Sequence, residues 1–317
     1  MSWQPESGLR RRSPLPRALA HTMAAAGRSR LGLCAGLGYN QPVKQEILTD
    51  LATTSLVAAI EENGLALSRA FGRSPLVDLH EDDGLIWFET GVPFATFNGV
   101  VRTRLSPDEA RDRVGRLVEH FRSQSLPMHW LVSESSRPAN LEDLLEGQGL
   151  CLASRQAAMA ADLDAIDDEQ PGLPGVEIQA VDNGTGLEAW HLVLAAGFEL
   201  PGFVAQAFAD LYRWCLTQPL PLYHYVAWLE GEPVACSTLF LAGGVAGLHN
   251  VVTLPRARRR GIGTAITLAP LLRARDMGYR VAVLSSSQRG YDLYHRLGFE
   301  EYFQESTYFW NGTRPGS

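Results

Sequence analysis

Apolar residues recur at helical spacing through residues 44–63, at Ile47, Leu51, Leu56 and Ile60, and predict a helix that stops at Asn63-Gly64. Two short apolar runs, 85–89 and 94–100, flank Gly91-Val92-Pro93 and predict strands on either side of a turn. Ser106-Pro107-Asp108-Glu109 has the signature of a helix start: a serine cap, a proline at the first position and acids in the first turn. That helix should run to about Ser123, with a strand at 128–132 after it. Asn140 then caps a short helix over 141–146 that stops at Gly147 and Gly149.

An Asp-, Glu-, Pro- and Gly-rich stretch, 164–175, reads as an exposed connection. Beyond it the pattern predicts a strand at 176–181 and helices at 187–196 and 203–216 around Gly197-Phe198-Glu199-Leu200-Pro201-Gly202. A hairpin follows, 223–229 and 234–241 about Glu230-Gly231-Glu232-Pro233, and then a strand at 246–253. An Ala/Ile/Leu-rich helix starts near 262, its Pro270 predicting a kink, and a strand follows at 279–284. The order strand, helix, strand, short helix therefore occurs twice, around 98–150 and around 248–299. It predicts an internal duplication within an α/β chain whose mixed sheet is flanked by helices.

The second copy carries the more informative turn. Val251-Val252-Thr253-Leu254-Pro255 ends a strand, Arg256 to Arg260 are basic but for Ala257, and Gly261-Ile262-Gly263-Thr264 opens the helix. Glycines let backbone N–H groups approach a ligand, and a helix N-terminus supplies free donors and a positive dipole end. Pyrophosphate suits such a site, with Arg258, Arg259 and Arg260 adding charge. There is no G-x-x-x-x-G-K-[ST], and Ile266 stands where a dinucleotide-binding G-x-G-x-x-G needs its third glycine. What remains is R-x-x-G-x-G at Arg258, Gly261 and Gly263, a pattern that a solvated basic turn could also show. The first copy has Leu105-Ser106-Pro107-Asp108-Glu109-Ala110 at that place, and its two carboxylates would repel a pyrophosphate.

About thirty residues after the glycines comes Leu293-Tyr294-His295-Arg296-Leu297-Gly298-Phe299. This L-Y-x-x-L-G-F, together with R-x-x-G-x-G, resembles the GCN5-related N-acetyltransferase (GNAT) superfamily over roughly residues 175–310. Leu144-Leu145-Glu146-Gly147-Gln148-Gly149-Leu150 resembles a worn copy of the second motif. The resemblance implies two tandem GNAT-like domains: a degenerate one at 41–166, a linker at 167–175 and a catalytic one at 176–312, after an N-terminal extension at 1–40. It implies acetyl-CoA as acyl donor, without a metal, and a primary amine as acceptor, a small molecule rather than a protein. It places the pyrophosphate at Arg258, Arg259, Arg260, Gly261, Ile262, Gly263 and Thr264, and the pantetheine arm along Val251, Val252 and Thr253. Tyr294 becomes the general acid for the departing thiolate. Ser287 stands where many relatives carry a cofactor-binding asparagine. Some relatives place a glutamate base where Ala282 stands here, which leaves His249, His224 and Glu199 as candidates. Phe198, Phe203, Phe208 and Trp214 are either acceptor-pocket residues or core. A non-catalytic acyl-CoA-binding or scaffold protein on the same fold is the rival reading.

Composition changes this picture little. The chain has 317 residues, 45% hydrophobic and 20% charged, with a formal net charge of −7, which argues against non-specific nucleic-acid binding and mildly favours a cationic partner. Cys34, Cys151, Cys215 and Cys236 have neither C-x-x-C nor histidine spacing, and read as thiols of a reducing cytoplasm. Residues 1–40, with Arg10-Arg11-Arg12 and no apolar core behind them, read as a disordered extension. No apolar run is long enough to span a membrane. A homodimer stays open.

Overall fold

Eleven strands join one sheet in the computed structural model, which describes residues 46–167, 172–182 and 184–312. The first half contributes α1 (Thr53–Phe71), β1 (Asp78–Glu81), β2 (Leu85–Glu89), β3 (Gly99–Thr103), α2 (Pro107–Ser123), β4 (Met128–Val132), α3 (Leu141–Gly147) and β5 (Cys151–Asp162). The second contributes β6 (Val176–Ala180), α4 (Gly184–Gly197), α5 (Gly202–Leu216), β7 (Leu222–Leu229), β8 (Glu232–Ala242), β9 (Val245–Thr253), α6 (Ile262–Asp276), β10 (Val281–Ser286), α7 (Tyr291–Arg296) and β11 (Glu300–Trp310). The expected N-terminal extension and residues 168–171 of the connection lie outside the described residues.

The strand order is β1-β2-β3-β4-β11-β5-β10-β9-β8-β7-β6. It is nearly symmetric about the β11–β5 pair, so β3-α2-β4-α3-β5 corresponds to β9-α6-β10-α7-β11. Each half sends its last strand into the other. β5 pairs antiparallel with β10, from Val281 opposite Asp162 to Ser286 opposite Ala157, while β11 pairs antiparallel with β4. β5 and β11 also pair with each other along most of their length.

Side chains alternate between the two faces of the sheet. Leu239, Leu241, Ala282 and Leu284 pack with Ile266 and Leu271 of α6, whereas Phe240 and Ala242 pack with Trp190 and Leu194 of α4. Val281 and Val283 meet Leu56 and Ile60 of α1. A separate core joins α2, α3 and β4 to Tyr308 and Trp310 of β11.

Four expectations are corrected. The first helix begins only at Thr53, leaving Ile47 and Leu51 outside it, and does not stop at Asn63-Gly64 but runs to Phe71. Asn63 is buried there because its side-chain amide donates to the Phe240 and Ala242 carbonyls at 3.3 and 3.0 Å, and Ala70 and Phe71 beyond it pack on the second half. The strand expected at 94–100 is instead a 3-10 turn, Ala95–Phe97, followed by β3. Asn98 bends the chain here. Its side chain accepts from the Thr90 N–H and donates to the Val92, Phe94 and Pro127 carbonyls, so its role is in the turn. The strand expected at 279–284 is shifted to Val281–Ser286. β1, β5 and β11 are strands beyond those the sequence pattern predicts. Pro270 sits within a helix that is continuous from Ile262 to Asp276, and the Ile266 carbonyl it deprives of an N–H accepts the Ser237 hydroxyl at 2.8 Å.

Candidate active site

Two backbone features open the second half of the sheet. Between Cys236/Val252 and Thr238/His249 the β8–β9 register shifts, with Asn250 in the left-handed region (φ 54°). This is a β-bulge, and asparagine is among the few residues that tolerate that conformation. The Asn250 amide donates to the Tyr212 hydroxyl of α5 at 2.8 Å. The second feature is the short parallel ladder between β9 and β10, which pairs only Ala246 with Ala282 and Gly247 with Val283. From Leu248 onwards the strands diverge, and the β10-side edge of β9 has no strand partner among the described residues.

The glycine turn lies at the mouth of this gap. Arg259 (φ 59°) and Gly261 (φ 78°) are both left-handed and carry the chain from a 3-10 turn, Pro255–Ala257, into α6. Among the described residues, no acceptor takes the N–H groups of residues 259–264. Arg256, Arg258, Arg259 and Arg260 are exposed, and none of them forms an ion pair among the described residues. Arg258 Nε donates to the Thr253 carbonyl at 3.0 Å, which ties the turn to the strand end. An exposed row of unpaired donors and cations at a helix N-terminus is a cradle for a polyanion.

Gly263 brings the separate motifs together. A Cβ there would sit 3.4 Å from Thr253 Oγ1 and 3.6 Å from Leu293 Cδ2. Strand, turn and the L-Y-x-x-L-G-F helix thus meet at one residue. Tyr294 is nearly buried beside Phe299, with ring centroids 5.9 Å apart, and burial pushes its phenol up to about 12. It belongs to the same apolar cluster as Val251 and Leu293. Ser287 is exposed at the end of β10. Its carbonyl accepts the N–H groups of Gly290 and Tyr291 at 2.9 and 3.1 Å, while its hydroxyl has no hydrogen bond among the described residues.

The candidate bases fare differently. His224 is sealed between Trp190 and Tyr212, with Nδ1 2.9 Å from Thr238 Oγ1, and burial lowers it to about 3. His249 Nε2 lies 3.1 Å from Asn63 Oδ1, and burial lowers it to about 4. Because the Asn63 amide nitrogen is committed to two carbonyls, its oxygen must accept, so His249 carries its proton on Nε2 and its lone pair on Nδ1. Glu199 is exposed in the α4–α5 loop, and Ala282 is fully buried. Of the four aromatic candidates, Phe208 and Trp214 pack on the core of the α4–α5 face, whereas Phe198 and Phe203 are exposed. Gly197 closes α4 directly onto β9, where any Cβ would collide with Val252 Cγ1. The first half reaches this region too, through Phe97 against Phe208 (4.7 Å) and Phe71 against Tyr212 (5.7 Å).

The model of the family described as Acetyltransferase (GNAT) family matches residues 190–299, the segment that holds every part of this site. The chain carries a GNAT domain. No curated protein matches the sequence. Among solved structures it is similar to a GCN5-related N-acetyltransferase from Kribbella flavida, with a TM-score of 0.61 at 19% identity over 83% of this chain and 96% of that one. It is similar to another from Sphaerobacter thermophilus (TM-score 0.57, 16% identity, 84% and 92% covered). A tandem GNAT protein from the clavulanic acid biosynthesis pathway also matches (TM-score 0.55, 14% identity, 86% and 98% covered). These likenesses extend over both halves, so the GNAT fold describes the whole sheet.

The first half keeps the same openings and closes them. The β2–β3 register shifts between Ile86 and Trp87, and the β3–β4 ladder is limited to Gly99/His129 and Val100/Trp130. Here, however, residues 133–140 fold into the gap. Arg137 N–H donates to the Thr103 carbonyl at 3.0 Å, and the Arg137 carbonyl accepts from Leu105 N–H at 3.2 Å. At the start of α2, Asp108 and Glu109 stand where the second half has its basic turn. The cleft that remains, about 370 Å³, is lined by Glu134, Glu142 and Asp143 as well as Arg137.

Proposed function

We propose that the chain is an acetyl-CoA-dependent N-acetyltransferase with one working site, in its second half, and a primary amine as acceptor. The observation that carries this reading is the meeting of Thr253, Gly263 and Leu293 beside an unpaired basic helix start. The N–H groups of 259–264 with Arg258, Arg259 and Arg260 hold the pyrophosphate. The free edge of Val251, Val252 and Thr253 binds the pantetheine amides and polarises the thioester carbonyl. The neutral amine attacks that carbonyl, the C–S bond breaks and the thiolate takes the Tyr294 proton; the attacking nitrogen gives up its extra proton to solvent, which restores the Tyr294 phenol, leaving amide and free CoA. A phenol raised to about 12 remains protonated throughout the working range, as an acid must. The acceptor enters past Phe198 and Phe203, with Phe97 and Phe71 of the first half behind α5, so the degenerate half of 41–166 walls the acceptor pocket.

A non-catalytic acyl-CoA-binding role is favoured by two observations: Ala282 stands where some relatives have the base, and His224 is sealed. Turnover separates the two. Release of free CoA from acetyl-CoA with a panel of small polyamines, amino acids and aminoglycosides, measured by thiol colorimetry, should exceed the amine-free rate for at least one acceptor. Tight acetyl-CoA binding with no acceptor-dependent release would leave the binding role.

A further inference from the structure

We propose that Asp78, His80 and Glu89, on the outer strands of the first half, form a zinc site. The β1–β2 register sets Asp78 directly opposite Glu89 and His80 opposite Trp87, which puts all three candidate ligands on one face. One ligand atom from each lies within 4.8 Å of the others. Two carboxylates directly opposite on paired strands repel each other. Among the described residues no arginine or lysine reaches either one within ion-pair distance; Asp78 has His80 and Glu89 has His120.

The imidazole is held ready. The His80 ring stacks on Trp87 with centroids 3.8 Å apart and planes 9° apart, which fixes its orientation. His80 Nε2 is 3.4 Å from Asp78 Oδ2, yet it is a buried nitrogen without a hydrogen-bond partner. The Nε2 atom is thus covered and faces Asp78 without sharing a proton with it, while the Asp78 carboxylate is 69% exposed, so the cluster opens to solvent on the Asp78 side. On the far side Glu89 Oε2 accepts from the Gln124 amide at 3.2 Å and lies 3.0 Å from His120 Nε2 of α2, a second layer that orients the carboxylate. Mixed imidazole and carboxylate donors select zinc over magnesium or calcium, which take oxygen. Three protein ligands leave a fourth position for water. Asp78, His80 and Glu89 have no metal-binding spacing along the chain; the strand register brings them together. β1 is the outermost strand on this side of the sheet, and the ion pins it to β2.

The test is a calorimetric titration of zinc chloride into the full chain, carrying no histidine tag and dialysed against a chelator, with millimolar magnesium present throughout. One saturable site per chain is expected, together with a rise in melting temperature on zinc addition. Glu89→Gln, which keeps the side-chain shape, and His80→Ala should each abolish that saturable site while circular dichroism stays unchanged. His120→Ala should weaken zinc by about tenfold, the usual cost of losing an orienting partner. No saturable binding overturns the proposal, and so does binding that survives in Glu89→Gln, which would place the ion elsewhere. If His80→Ala fails to fold, the Glu89→Gln result decides.

Discussion

The segments β3-α2-β4-α3-β5 and β9-α6-β10-α7-β11 build the same scaffold from different sequences. Each breaks its ladder with a register shift, and each holds its parallel pair for only two residue pairs before the strands part. They differ in what meets the gap. In the first half the loop 133–140 hydrogen-bonds to the free strand edge, and acids open the helix. In the second the loop is cut to 287–290, the edge is free, and arginines and glycines open the helix. The gap is therefore a property of the sheet, while the exposed basic charge and free N–H groups belong to one turn, and the open strand edge to one shortened loop.

The largest effect tests the shared sheet. A fragment covering 172–317 lacks β5, which separates β10 from β11, and is expected not to fold as a monomer; a sharp, monomeric spectrum by nuclear magnetic resonance would show that the halves are independent. Next is Gly263→Glu. Because a Cβ fits there at 3.4 Å from Thr253 Oγ1, the loss should come from charge: acetyl-CoA affinity falls by a factor on the order of a hundred, while Gly263→Ala stays much closer to wild type. Tyr294→Phe should reduce kcat about a hundredfold with little change in acetyl-CoA affinity, the usual contribution of a general acid. An unchanged kcat would remove Tyr294 from that role.

A smaller effect appears on acidification. His224 and His249, held at about 3 and about 4, are neutral when folded and take up protons on unfolding, where the ordinary value is 6.5. Their contribution is full above 6.5 and lost as pH falls towards 4, on the order of 3 kcal/mol for each. Urea midpoints measured from pH 7.5 to 4.5 should fall accordingly, and His249→Gln, which removes one of the two titrating rings, should flatten the slope. The smallest expected effect is none at all. Replacing Asp108 and Glu109 with alanine should leave the first half without acetyl-CoA binding, because Arg137 still occupies the strand edge. A second site in that variant would mean that the acids alone had silenced it.

Local chemistry made much of this legible in the sequence. Ser106-Pro107 marked the start of α2 to the residue, and Arg258, Gly261, Gly263 and Tyr294 marked the turn and helix that the fold brings together. Three strands, β1, β5 and β11, lie outside the elements the local pattern predicts, and β5 and β11 are the pair that the halves exchange. Their partners lie over a hundred residues away, and no local period names a partner. Asn63 depends on distant partners in the same way. Asn-Gly reads as a helix stop, yet here the amide is satisfied by strand carbonyls almost 180 residues on. Asn250 was readable in principle, as an asparagine within a β-branched run. Its tie to Tyr212 needed the fold.

The central claim, one open gap and one filled, is tested most directly by a calorimetric titration of the full chain with acetyl-CoA, with free CoA for comparison. The account predicts saturation at one site per chain. Two sites would show that the loop 133–140 does not close the first half, and no binding would show that the unpaired arginine–glycine turn of the second does not hold the pyrophosphate.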